Sequence, residues 1–254
     1  MKKIFLLLLF VMTGLSSAQI NNIKSGEKLV YRVHYGPLNA GYATLTATNT
    51  TYKGQPTLFV KGEGRTSRTV GFFFKVKDLY ESFINIKTGL PSYYIRNVKE
   101  GNYTQHLETV FNHDNNTLIL SDKKNNTPPK MIKTVSGVQD MLSAFYYLRS
   151  LNNKNLNIGS VIKINVWIDD NLFPFQLRVV GKDVKSTKFG KIECLRIIPR
   201  VMSGRVFKDK EGVTMWVTND ANHIPIEVKA ELAVGSLKAD IDDYQNIMFP
   251  INFK

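Results

Sequence analysis

The chain has 254 residues, a single cysteine and a formal charge of +13 at pH 7. With 43% hydrophobic and 22% charged residues it reads as a globular chain, large enough to build a core, and one cysteine excludes an internal disulfide framework. The positive charge is scattered along the sequence and no recognised nucleic-acid-binding module accompanies it, so nucleic acid is not expected as a partner.

The first element is a targeting signal. Lys2 and Lys3 precede an unbroken apolar run from Ile4 to Met12, and Ser16 and Ala18 are small residues at −3 and −1 of a cleavage point between Ala18 and Gln19. The run is shorter than the roughly 20 residues that cross a bilayer, and no later stretch approaches that length. Residues 1–18 therefore read as a cleaved signal peptide. No cysteine follows it to carry a lipid anchor, and the mature chain is expected in the periplasm or outside the cell, soluble and without a transmembrane anchor.

From residue 19 to 254 a single β-rich domain is expected, because most of the chain alternates with period two. Candidate strands in the first half are Leu29–Tyr35, Gly41–Thr51, Thr57–Glu63, Lys75–Ile86, Ser92–Lys99, Tyr103–His113 and Thr117–Ser121. Turn residues such as Lys53-Gly54-Gln55-Pro56, Gly89-Leu90-Pro91 and Gly101-Asn102 separate them closely enough to favour antiparallel neighbours. Asp122–Lys130, with Pro128-Pro129, reads as a linker and places any subdomain junction near 122–135. The period then becomes 3.6: Val138, Met141, Leu142, Phe145, Leu148 and Leu151 share a stripe, which predicts one amphipathic helix over about 137–151 with a capping box at Ser136 and Gln139. Strands resume at Val161–Ile168, Phe173–Val180, Val184–Lys188, Lys191–Pro199, Gly212–Thr218, Ile224–Val234 and Ser236–Tyr244. Val201–Glu211 reads as a longer polar loop. The fold class is mainly β: a large antiparallel sheet curved into a half-barrel or folded into a β-sandwich, with the helix packed on it.

Motifs that carry chemistry are missing. Gly62-Glu63-Gly64 lacks the third glycine and the helix of a phosphate loop, and there is no His-Glu-x-x-His, paired-cysteine or Gly-x-Ser-x-Gly pattern. His34, His106, His113 and His223 are dispersed, so neither metal nor cofactor is expected. Cys194 lies mid-strand among apolar residues, as a structural thiol does. Asp78, Glu81, Glu108, Asp140, Asp220 and Asp240 are carboxylates without a spacing that enforces a catalytic pair. The unusual feature is apolar. Val70-Gly71-Phe72-Phe73-Phe74, flanked by Arg68 and Lys75, leaves no polar alternate residue for a solvated strand face. It is expected either to be packed on both faces or to line a greasy concavity.

Gly26-Glu27-Lys28-Leu29-Val30-Tyr31, Asp78-Leu79-Tyr80-Glu81-Ser82, the run Gln139–Arg149, Gly190–Pro199 and Met215-Trp216-Val217 resemble the bacterial family called domain of unknown function 3108. The resemblance implies an exported, β-rich protein and brings no activity or catalytic residues with it. The functional expectation is a non-catalytic binding module for a lipid-like or amphiphilic envelope component, with acyl chains among Phe72, Phe74 and Phe145 and the headgroup at Arg68 and Lys75. The alternatives are an envelope structural or assembly protein that binds a protein partner or cell-wall polymer, and an envelope glycan hydrolase.

Overall fold

The computed structural model describes residues 19–151, 156–201 and 212–254. The signal segment, with Ala18, and almost all of the loop expected at 201–211 lie outside the described residues. Among the described residues fourteen strands form one antiparallel sheet, and one α-helix breaks their sequence. The first eight are β1 (Glu27–Tyr35), β2 (Leu38–Tyr52), β3 (Gln55–Thr66), β4 (Lys77–Asn85), β5 (Pro91–Glu100), β6 (Tyr103–Asn112), β7 (Thr117–Asp122) and β8 (Lys130–Lys133). Helix α1 (Met141–Ser150) follows, then β9 (Val161–Ile168), β10 (Asn171–Thr187), β11 (Gly190–Val201), β12 (Val213–Thr218), β13 (Pro225–Glu231) and β14 (Ser236–Gln245).

The strand order is β8-β7-β6-β5-β4-β3-β2-β1-β14-β13-β12-β11-β10-β9. The chain meanders outward from β1 to the edge at β8, crosses through α1 to the opposite edge at β9, and meanders back. The first and last strands meet in the middle, with Lys28 opposite Gln245 and Tyr35 opposite Leu237. The sheet is not closed by β8–β9 pairing, yet it cannot be flat. Helix α1 touches both β4 and β9, which stand nine places apart in the strand order. Nine inter-strand spacings on a flat sheet come to roughly 43 Å. A ten-residue helix is only about 15 Å long, so the sheet must curl around it.

The helix entry joins the two halves of that curl. Gln139 pairs with β9, its N–H donating to Asn165 O at 2.8 Å and its carbonyl accepting from Trp167 N at 2.7 Å. Its side-chain amide donates to Gly89 O, before β5, at 3.2 Å. Arg96 of β5 meets Asp169, in the β9–β10 turn, at 3.0 Å. Three apolar clusters fill the fold. One gathers Leu58, Ile84, Leu118, Tyr146 and Trp167; another Leu148, Ile164, Val179, Leu195 and Ile197; the third Leu29, Tyr31, Ile192, Cys194 and Ile241.

Three sequence expectations are corrected. The helix begins at Met141 with Asp140 as its N-cap, because Gly137 has φ +69° and the backbone of Gln139 is engaged by β9. The expected strands Phe173–Val180 and Val184–Lys188 are one strand, β10, continuous past a register shift between Val179 and Gly181. The expected linker ends in the edge strand β8, paired to β7 through Leu118↔Ile132.

Candidate functional site

The β3–β4 loop carries four of the five expected ligand-contacting residues. Its neck is closed by Thr66, whose N–H donates to Val76 O at 3.3 Å and whose Oγ1 accepts from Val76 N at 3.1 Å. Ser67 Oγ accepts from Val70 N at 3.3 Å and helps start a 3-10 turn over Val70–Phe72. Phe73 and Phe74 N–H groups both donate to Val70 O at 2.9 Å and extend the turn. The turn aims successive side chains in different directions, so the three phenylalanines cannot share a buried face. Phe72 and Phe73 are each 86% exposed and stand edge-on to one another, centroids 5.3 Å apart; Phe74 is 52% exposed. The phenylalanine ring of Phe74 lies over Gly101, close to where a Cβ would be.

This corrects the expectation of a packed or concave stretch: the segment is neither a strand nor part of the core. Full burial of a phenylalanine is worth about 1.5–3 kcal/mol, so the loop forgoes several kcal/mol of available stabilisation. Arg68 and Lys75, and beside them Arg65 and Lys77, are also exposed. Phe145 lies apart from this group. It sits on α1, half-buried against the first and third clusters and edge-on to Tyr146 at 5.3 Å.

The interior holds two polar constellations. Asp140 caps α1: Leu142 N and Ser143 N each donate to its Oδ1 at 2.8 Å, and Ser82 Oγ on β4 donates to Oδ2 at 2.6 Å. It is fully buried, and desolvation outweighs these donors, pushing its carboxyl up to about 6. At the other end of the helix, Arg149 is fully buried and pairs bidentately with the equally buried Glu27, Nη2 reaching Oε2 at 2.8 Å. Arg149 Nε donates to Asn222 O at 3.1 Å, and its guanidinium lies 5.3 Å from the Tyr146 ring centre. Asn22 Nδ2 donates to Arg149 O and, at 3.1 Å, to Ala221 O. By residue type alone Arg149 is just a charge in the last helical turn. The signal for its burial is positional: it follows Leu142 by seven residues, on the buried stripe.

A shallow cleft of about 170 Å³ lies between the β10–β11 hairpin end and β1, β13 and β14, lined by Arg32, Lys185, Lys188, Glu227, Asp240 and Asp242 among others. Each of its carboxylates has a cationic or histidine partner: Lys185 Nζ meets Glu227 at 2.8 Å, Lys188 meets Asp242 at 3.2 Å and His34 contacts Asp240. His106 lies 3.6 Å from Glu108, which also pairs with Lys123 at 3.3 Å. Asp220 accepts from Thr218 Oγ1 at 2.6 Å in the β12–β13 turn, and Asp78 accepts from Lys99 N at 3.1 Å. Cys194 is fully buried and burial pushes its thiol up to about 12, which suppresses the reactive thiolate. Among the described residues no three His, Cys, Asp or Glu side chains gather in a metal-binding group, and no helix is long and apolar enough to cross a membrane.

The crystal structure of a β-barrel-like protein of domain of unknown function DUF1849 from Brucella abortus matches with a TM-score of 0.57 at 7% identity. The match covers 88% of this chain and 98% of that one, and it shows a shared fold. A candidate lipoprotein from Parabacteroides distasonis aligns over 89% of this chain and 98% of its own at 9% identity, but its TM-score of 0.38 supports no argument. No curated protein matches the sequence. A family model, Protein of unknown function (DUF3108), matches residues 30–242, from the central strand β1 into the last strand β14; the chain belongs to that family.

Proposed function

We propose that the chain is an exported, non-catalytic binding module of the cell envelope that takes a lipid-like amphiphile. The observation that carries this reading is the β3–β4 loop, where Phe72 and Phe73 stay exposed beside Arg68 and Lys75 instead of joining the core. Apolar rings with cations beside them match an acyl chain and an anionic headgroup. The carboxylates of the outer cleft favour no hydrolytic role, because the partners described above engage each of them, Glu227 and Asp242 in ion pairs with lysines and Asp240 in a hydrogen bond with His34. The signal-like residues 1–18 support export. The test is to purify the protein gently from cells and seek bound lipid by native mass spectrometry, then titrate a fluorescent fatty acid below its micelle concentration. Saturable binding that weakens when Phe72 and Phe73 are replaced by serine is the expected result. No co-purifying lipid together with no probe binding would refute the reading.

One observation favours a second reading, an envelope assembly protein. Strand β8 ends the sheet with Met131 74% exposed, and an open edge accepts an added strand from a partner. Its lysines, Lys130 and Lys133, act against indiscriminate pairing.

A further inference from the structure

An antiparallel meander sends alternate turns to the same end of the sheet. The β1–β2, β3–β4, β5–β6 and β13–β14 connections share one end, and hydrogen bonds fasten them into a continuous rim. Ser67 N donates to Ala40 O at 2.8 Å and Ser67 Oγ to Asn39 O at 2.8 Å, joining the phenylalanine loop to the start of β2, just past the β1–β2 turn. Tyr35 Oη donates to Val234 O at 2.8 Å, joining β1–β2 to β13–β14. Gly101 N donates to Lys75 O at 2.8 Å and joins the loop to β5–β6. The rim is apolar beyond the phenylalanines: Leu38 is 48% exposed and Val234 77%. Its charge is set back from the tips. Between Arg65 and Lys77 there are four cations and no acid, and Arg65 and Lys77 face each other across β3 and β4.

We propose that this rim docks the protein onto an anionic membrane surface. The inference rests on the amphiphile reading and names its partner as a bilayer leaflet and not a single enclosed molecule. Rings projecting from a convex row of turns enclose nothing, yet they reach a depth at which aromatic side chains settle in the membrane interface. Cations one strand-step behind them fall at the level of the lipid phosphates. Hydrogen bonds between turns hold the tips in one array, so little loop entropy is lost on docking. An acidic protein groove would meet the same cations, but it would not call for apolar tips spread over several separate turns.

The experiment is co-sedimentation of the full chain with phosphatidylcholine vesicles, with and without phosphatidylglycerol, at low and high salt. The expected result is binding that requires phosphatidylglycerol, weakens with salt, drops at least about tenfold in F72S/F73S and about fivefold in K75E, with circular dichroism unchanged. Equal binding by F72S/F73S, or no vesicle binding by the parent, overturns the inference. A parent that binds the monomeric fatty-acid probe but no vesicle overturns docking and leaves the amphiphile reading standing. Vesicle binding without probe binding supports docking and excludes binding of single amphiphile molecules. A photo-crosslinker at position 73 that traps a protein or a second copy in cells, and no lipid, also overturns it.

Discussion

Glu27 and Arg149 are opposite charges taken fully out of water, and their positions tie the start of β1 to the end of α1. Such a pair is weak evidence of stabilisation, but breaking it strands a charge in a low-dielectric core. Arg149→Met is expected to lower stability by about 3–5 kcal/mol in a denaturant titration, and E27L/R149M to recover part of that loss. A double variant no better than the single one would show that the pair is not the source of the penalty. Asp140 supplies a second residue-scale prediction. Its carboxyl titrates near 6 in the fold and near 3.8, the ordinary aspartate value, once the chain unfolds, so the folded protein holds the proton more tightly. Stability from this group is therefore fully present below about pH 4 and is lost as pH rises through 6, on the order of 3 kcal/mol in all. Asp140→Asn keeps a good cap and removes the titration. The difference in unfolding free energy between parent and D140N is expected to fall across pH 4–6 and then stay level; a flat difference throughout would contradict a buried, raised carboxyl.

Among the elements, β2 and β3 leave no room for a side chain at Gly41, where a Cβ would lie 2.3 Å from Arg65 O and 3.0 Å from Thr66 Cα. Backbone cannot swing aside as a side-chain tip can. Gly41→Ala is expected to cost about 1–3 kcal/mol, read as a fall in Tm, while Gly212→Ala, which meets nothing within 4 Å among the described residues, is expected to be close to neutral. The elements were legible in the sequence where one face of a strand or helix is buried, because burial writes the period. Strand β1, with burial alternating over Glu27–Tyr31, and the stripe Leu142, Phe145 and Leu148 are of this kind. Strand β8 was not, since its four residues are exposed or nearly so and follow two prolines. The split drawn through β10 leaves out residues 181–183, next to the bulge between Val179 and Gly181, where the strand shifts register without ending. At the candidate site, the identity of Phe72–Phe74 was legible and its setting was not: a triple apolar run looks the same whether it is buried or projected from a 3-10 turn.

For the whole molecule, the joining of the edge strand β9 to the β4–β5 connection through the helix entry predicts one cooperative unit. Trp167, on β9, packs in the cluster built largely from β3 to β7, whereas Trp216, on β12, packs against the third cluster and donates to Asp183 at 2.7 Å. Fluorescence of Trp216→Phe and Trp167→Phe variants therefore reports from opposite sides of the junction. Once each variant's own stability change is subtracted, their unfolding curves are expected to coincide with circular dichroism; separate transitions would mean that the halves unfold independently. No local pattern revealed the β1–β14 pairing, because a seam between residues almost a full chain length apart leaves no periodic trace. That seam has a kinetic consequence. The strand made last completes the middle of the sheet, so everything built earlier keeps an unsatisfied strand edge at β1 until residues 236–245 arrive. Contacts of such long sequence separation place the protein among slow folders, and the unfinished chain remains pliable for as long as its final strand is withheld.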